Sequence, residues 1–275
     1  MLPQWSTLAA QDDSDLPLLD VALLIASDEY PGLDPRPYRT LVQQHAAHLE
    51  GIIDSQAHES LKMRAINHHL FHEIGYAGNH DDYYDPRNSY LNQVLDRRLG
   101  NPISLALVQM EVARRVGVLL DGVSFPGHFL VRLPVDDGLL VMDPFNRGRP
   151  LDVDELRQRA GSHLGGEPDD DALSQMLHPA SHRAILARML RNLQGVYSGL
   201  GDWARATRSA DRVLRLAPNS ADALRDRGIG YLELGHVSAG REDLRRYLQL
   251  NPAAKDAGKV RRRLVGTGSA AGLLH

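Results

Sequence analysis

Apolar positions recur at helical spacing through the first third of the chain. Leu19, Leu23 and Leu24, broadened by Val21 and Ile25, predict a helix over residues 16–30. Pro31, Gly32, Pro35 and Pro37 end it. Leu41, Val42, His45, Leu49, Ile52 and Ile53 share one face of a second helix over residues 38–53. A third spans residues 57–74, with Leu61, Ile66, Leu70 and Ile74 inward and Gly75 at its end. Residues 78–82 read as a loop. A short helix follows over residues 90–98, closed by Gly100, with Asn88 or Ser89 as its N-cap. Residues 1–15 are polar and expected to be loose.

The period then changes. Asn101-Pro102-Ile103-Ser104 opens a helix over residues 105–115, ended by Gly117. Three short runs of strand character follow, over residues 122–125, 128–133 and 139–143. Two of them carry a polar residue with chemistry: His128 and Asp143. Residues 146–150 read as a turn, Asp152 as the cap of a helix over residues 153–159, and residues 161–171 as a Gly/Asp-rich loop. A short helix is expected over residues 172–177, and everything from residue 181 onward has helical character.

The C-terminal part repeats itself. Tyr197 and Tyr231, Gly201 and Gly235, Leu216 and Leu250, and Pro218 and Pro252 are each 34 residues apart. That period, with Gly at the reversal between two helices and Pro after the second, is the signature of tetratricopeptide (TPR) repeats. The copies run over residues 181–218 and 221–252, and a last helix over residues 255–264 caps them. The expected organisation is a loose start (1–15), an α+β domain (16–178), a TPR-like array (181–265) and a tail (266–275).

Composition narrows the chemistry. The chain of 275 residues contains no cysteine, which excludes disulfides, thiolate metal sites and thiol nucleophiles. Charge is divided unevenly: residues 185–275 carry 16 Lys and Arg against 8 Asp and Glu, and residues 1–184 carry 15 against 27. The basic residues, Arg147, Arg149 and Arg261–Arg263 among them, lack interleaved aromatics, so two oppositely charged domains account for the asymmetry better than a nucleic-acid surface does. No stretch approaches 18 apolar residues and the acidic start has no leader pattern; neither membrane insertion nor export is expected, and the cytoplasm is the expected compartment. No Gly-rich phosphate loop is present, and no cofactor is expected.

A helix, then a strand with His, then a strand with Asp is the order of a papain-like or transglutaminase-like core, in which a Cys at the helix start is activated by the His. The runs Tyr83–Asn92, Gly100–Leu105, Phe125–Phe129 and Met142–Phe145 resemble the bacterial SirB family. The resemblance covers nearly the whole chain. It implies a transglutaminase-like α+β domain of helices and a small antiparallel sheet, followed by an all-α TPR array, in a regulatory or accessory role. His128 and Asp143 then stand at the His and Asp positions of the core. The Cys position falls on Pro102, which cannot be a nucleophile, and Ser104 is the nearest hydroxyl.

The expected function is a non-catalytic scaffold that takes a protein or peptide partner in the TPR groove, through repeats fixed by Tyr197, Gly201, Pro218, Tyr231, Gly235 and Pro252. Asn101, Pro102, Asp85, Arg87 and Asn88 are the candidate cleft residues. Two alternatives stand beside it: an amide or ester hydrolase or acyl transferase built on Ser104, His128 and Asp143, and a nucleic-acid-binding regulator. The histidine pairs His45/His48 and His69/His72 have i, i+3 spacing, but no zincin-like Glu accompanies them; they read as surface or packing residues, and no metal site is expected.

Overall fold

A computed structural model describes residues 1–136 and 138–270, and the chain divides into two compact units. The first unit comprises residues 1–3 and 12–189, the second residues 4–11 and 190–275.

The first unit is α+β and is arranged around one helix. Helices α2 (Leu18–Ser27), α3 (Arg36–Glu50), α4 (Glu59–Asn67) and α5 (Leu91–Arg97) precede α6 (Pro102–Arg115). Every residue of α6 from Pro102 to Ala113 is buried. A helix apolar nearly all round belongs at the centre of a domain, and α6 packs on α2, α3, α4 and α5 and on strands of both sheets. Its one buried acid, Glu111, is paired with Arg115 at 2.6 Å.

Strands β1 (Ala77–Gly78) and β2 (Leu99–Gly100) pair parallel. Strands β3 (Asp121–Val123), β4 (Leu130–Val135), β5 (Gly138–Asp143) and β6 (Arg149–Leu151) form an antiparallel meander in sequence order. Helices α7 (Val153–Leu164) and α8 (Asp170–Met176) enclose a second core with this sheet: Val123, Phe125, Leu130, Val141, Leu151, Leu156, Ala160 and Leu173 are all buried there.

Several expectations are corrected. Residues 57–74 are not one α-helix; α4 passes into a π-helix at His68–Glu73. The buried face is Met63, Ile66 and Leu70, at ordinary helical spacing, and Leu61 is 58% exposed. Ile52 lies beyond the end of α3 and is exposed. Helix α5 is closed not by Gly100 but by Arg98 in the left-handed conformation (φ 60°), and neither Asn88 nor Ser89 caps it: the capping position is Tyr90. Arg149 and Pro150, read as part of a turn, form edge strand β6 with Leu151, where Pro150 is tolerated because an edge leaves its missing N–H unneeded. Helix α7 runs to Leu164, past the expected start of the loop. His128 precedes β4 in a turn instead of standing within the strand.

The second unit is all α. Helix α9 (His182–Gly199) leads into it, followed by α10 (Trp203–Leu216), α11 (Ala221–Glu233), α12 (Val237–Leu250) and α13 (Ala257–Ala270). Gly201 and Gly235 have φ of 72° and 80° at the tight reversals, which is why both repeats need glycine there. The start of the chain is not loose. Trp5–Leu8 forms helix α1, which packs on α10 with Leu8 fully buried and the Trp5 ring under Arg212 at 5.0 Å. In the first unit, Asp13 accepts from the backbone N–H groups of His182 and Arg183 at 2.8 and 2.9 Å. Of the expected tail, residues up to 270 continue α13, and 271–275 lie outside the described residues.

Candidate functional site

The N-terminus of α6 is closed by a reciprocal cap. The Asn101 carbonyl Oδ1 accepts from Ser104 N–H at 3.0 Å, and Ser104 Oγ accepts from Asn101 N–H at 3.0 Å. The Ser104 hydroxyl donates to the Asn88 carbonyl at 2.7 Å. Ser104 is fully buried, and all its side-chain bonds are to Asn88 and Asn101. Pro102, at the first turn, is also buried.

The loop before α5 is pinned in the same manner. Asp85 is 6% exposed, accepts from Arg87 N–H at 2.9 Å and is ion-paired with Arg87 and Arg97 at 2.8 and 3.4 Å. Burial alone would push the Asp85 carboxyl up, but the bonds from Arg87 outweigh it and hold the carboxyl below its ordinary value. Asn88 donates to the Asp82 carbonyl at 2.8 Å and accepts from Asn79 at 3.0 Å. Asn101 donates to Ser89 Oγ at 2.8 Å. These residues hold one another.

His128 and Asp143 do meet. The His128 Nε2–H donates to Asp143 Oδ1 at 2.8 Å. Asp143 closes β5, is fully buried, and accepts four further bonds. These come from Phe145 N–H at 3.1 Å, Asn146 N–H at 3.3 Å, Asn146 Nδ2 at 2.7 Å and Arg159 Nη1 at 2.8 Å. Burial opposes the charge, yet the bond and charge of His128, with Asn146 and Arg159, hold the carboxyl far below the carboxylate range. An ionised Asp143 can only accept, so the imidazole proton lies on Nε2, leaving the Nδ1 lone pair free of protein partners among the described residues. Phe145 stands edge-on to the imidazole at a centroid distance of 5.9 Å, and His80 and Tyr83 flank Phe145 at 4.5 and 5.7 Å. Behind it, Arg188 donates to the His128 carbonyl at 2.7 Å.

His128 and Asp143 thus stand in hydrogen-bonded register. The two halves of the Ser-His-Asp set do not join: among the described residues no hydrogen bond links Ser104 to His128. Asn146 and Arg159 are partners of Asp143 that sequence reasoning missed. Asn146, three residues after an Asp at a turn, was a readable signal; Arg159, sixteen residues away on α7, was not. Of the arginines with nucleic-acid potential, Arg149 is committed to Glu155 and Arg263 to Glu233. Arg261 donates to the Pro252 carbonyl at 3.1 Å. Arg147, at φ 60°, lines a hollow of about 550 Å³ with Met63, Asn67, His68 and Met142.

In the second unit, Tyr197 is buried under Arg205 at 5.6 Å and Tyr231 lies under Arg227 at 5.8 Å. Pro218 and Pro252 follow the ends of α10 and α12. Among the described residues, one set of side chains has metal-ligand character: His48, His69 and Glu73, whose donor atoms all lie within 4.8 Å of one another. The i, i+3 pairing of the sequence had coupled the histidines differently. Among the described residues no helix is long and apolar enough to cross a membrane.

A transglutaminase-like superfamily model matches residues 36–191, and a tetratricopeptide repeat model matches residues 193–265. A UPF0162 protein of Xylella fastidiosa (strain 9a5c) is 62% identical over 96% of this chain and 95% of its own length. UPF0162 protein PA3419 of Pseudomonas aeruginosa is 37% identical, covering 85% of this chain and 84% of that one. F-box only protein 21 of Mus musculus is 32% identical over 64% of this chain, which spans 29% of that protein. The expected architecture, a transglutaminase-like domain followed by TPR repeats, is therefore correct, and the chain belongs to the UPF0162 family.

Proposed function

We propose that this protein is a non-catalytic scaffold, a regulatory or accessory protein of the SirB type acting in the bacterial cytoplasm. Its TPR-like array takes an acidic protein segment or peptide. The observation that carries the first half is the bond from the Ser104 hydroxyl to the Asn88 carbonyl at 2.7 Å. A serine nucleophile must surrender its proton to a base within hydrogen-bond reach. Here the proton is committed to a backbone carbonyl inside a cap, and the position that would hold a thiol is Pro102.

The second half rests on charge. Within the array six aspartates are spent internally, Asp222, Asp226 and Asp256 on Arg225, Asp211 and Asp243 on Arg227, and Asp202 on Arg205, while Glu242 is exposed. Arg245, Arg246, Lys255 and Lys259 are left exposed. Repeat arrays present extended surfaces suited to peptides, and unspent cations on such a surface favour acidic ones.

The test is fluorescence anisotropy of labelled acidic and charge-neutral peptide libraries against the full chain and the Arg245→Glu/Arg246→Glu variant. Binding of acidic members that falls at least about tenfold in the variant supports the reading. Equal binding of neutral members, or indifference to the variant, refutes it. Tighter binding of an oligonucleotide of equal charge, with a steep salt slope, would instead favour a nucleic-acid regulator. The unpartnered Nδ1 of His128 favours one second reading, an amide or ester hydrolase in which His128 activates water.

A further inference from the structure

Three side chains from two segments converge outside the His128 cleft. His48 stands on the last turn of α3, and His69 and Glu73 on the π-helix. His69 Nδ1 lies 2.8 Å and His48 Nε2 3.7 Å from the same oxygen, Glu73 Oε2. The imidazoles of His48 and His69 stack with centroids 4.5 Å apart and planes at 25°. We propose that His48, His69 and Glu73 form a zinc-binding site.

The spacing suits the ion. A four-coordinate zinc with bonds of 2.0–2.2 Å holds neighbouring ligand atoms about 3.3–3.5 Å apart, and the 2.8 and 3.7 Å separations bracket that span. Sub-ångström adjustment seats a cation between them. Two imidazoles and one carboxylate are the ligand types zinc prefers, and they leave a fourth position for water. Glu73 and His48 are 42% and 50% exposed at the side chain, so that position faces solvent and an entry path exists.

The surroundings fit a ligand set better than they fit surface histidines. A metal-bound imidazole gives its other ring N–H to an orienting partner. His69 has one: its Nε2 lies 3.1 Å from Nδ1 of the buried His45, whose Nε2 in turn faces the Tyr76 hydroxyl at 3.5 Å. With metal on His69 Nδ1, its proton resides on Nε2 and is donated to His45. A ligating carboxylate is also held from outside, and His68 Nδ1 lies 3.2 Å from Glu73 Oε1. His68 and Glu73 are five residues apart. In an α-helix they would diverge; the i→i+5 bonding of a π-helix stacks them, and such insertions concentrate at functional sites. The π-helix therefore lets His68 and His69 both reach Glu73.

Zinc is titrated by calorimetry into the full chain, stripped with chelator beforehand, and into His48→Ala and Glu73→Gln. Both positions are exposed, and circular dichroism checks that the variants fold. The expected result is one high-affinity site per chain, weakened at least about tenfold in each variant, unchanged in His58→Ala. Co²⁺ in place of zinc gives visible absorption that both variants lose. A chain that binds no zinc, or variants that bind it with wild-type affinity and stoichiometry, would overturn the assignment; the latter would mean adventitious binding by other histidines.

Discussion

The Ser104 hydroxyl and the Asn88 carbonyl are joined at 2.7 Å inside the start of α6. This bond ties the loop before α5 to the central helix, and it occupies the Ser104 hydroxyl. Ser104→Ala removes that bond and half of the reciprocal cap. The Asn88 carbonyl and the Asn101 N–H keep only their mutual bond at 3.2 Å, and the expected cost is about 1–2 kcal/mol. Chemical denaturation checks it, with m unchanged and the midpoint lowered.

Asp143 gathers five donors, so its removal is the costlier change at the cleft. Asp143→Ala strips His128, Asn146 and two backbone N–H groups of their buried acceptor, leaves Arg159 with Glu155 alone, and is expected to cost about 3 kcal/mol or more. His128→Ala removes one partner of an acid that keeps four others, and the expected cost is about 1–2 kcal/mol. The two variants, compared in one denaturation series, should differ in that order; the reverse order would contradict the hydrogen-bond assignment.

Acid sensitivity follows from the same carboxyl. Asp143 is held far below its ordinary value in the folded chain, whereas an unfolded Asp titrates near 3.9. The contribution is present above the unfolded value and is lost as pH falls below it, because the unfolded chain then binds the proton that the folded chain refuses. Stability measured from pH 6 to 2 should fall more steeply in the wild type than in Asp143→Asn once pH drops below about 4. Parallel curves would contradict it.

The reversals of the array carry their own prediction. Gly201 and Gly235 sit at φ of 72° and 80°, where a Cβ crowds the backbone. Gly201→Ala and Gly235→Ala should each cost about 1–2 kcal/mol. The sites are 34 residues apart, so the double variant should lose close to the sum. Thermal melts of the four proteins check both statements.

Much of this was legible in the residues. The 34-residue recurrence from Tyr197 to Tyr231 located the repeats because a glycine reversal and a proline stop are local requirements of the chain. Alternation located three of the four strands. The His128–Asp143 pair was readable because both side chains are polar in otherwise apolar surroundings. What was not legible depends on neighbours distant in sequence. Edge strand β6 contains Pro150 and is held only by pairing with β5. The π-helix at His68–Glu73 appears in no pattern, since Met63, Ile66 and Leu70 keep the ordinary helical spacing through its start. Ser104 suits a helix start in sequence, but its partner, the Asn88 carbonyl sixteen residues upstream, follows from no local pattern. His48 and Glu73 belong to different segments, and no spacing rule joins them.

The central claim is that the transglutaminase-like cleft carries no activated hydroxyl. Labelling by a broad fluorophosphonate serine-hydrolase probe, with Ser104→Ala and His128→Ala alongside, tests it most directly. The account predicts no labelling of the folded wild type beyond that of the two variants. Stoichiometric labelling that vanishes in both would contradict it and make the protein a Ser-His-Asp enzyme.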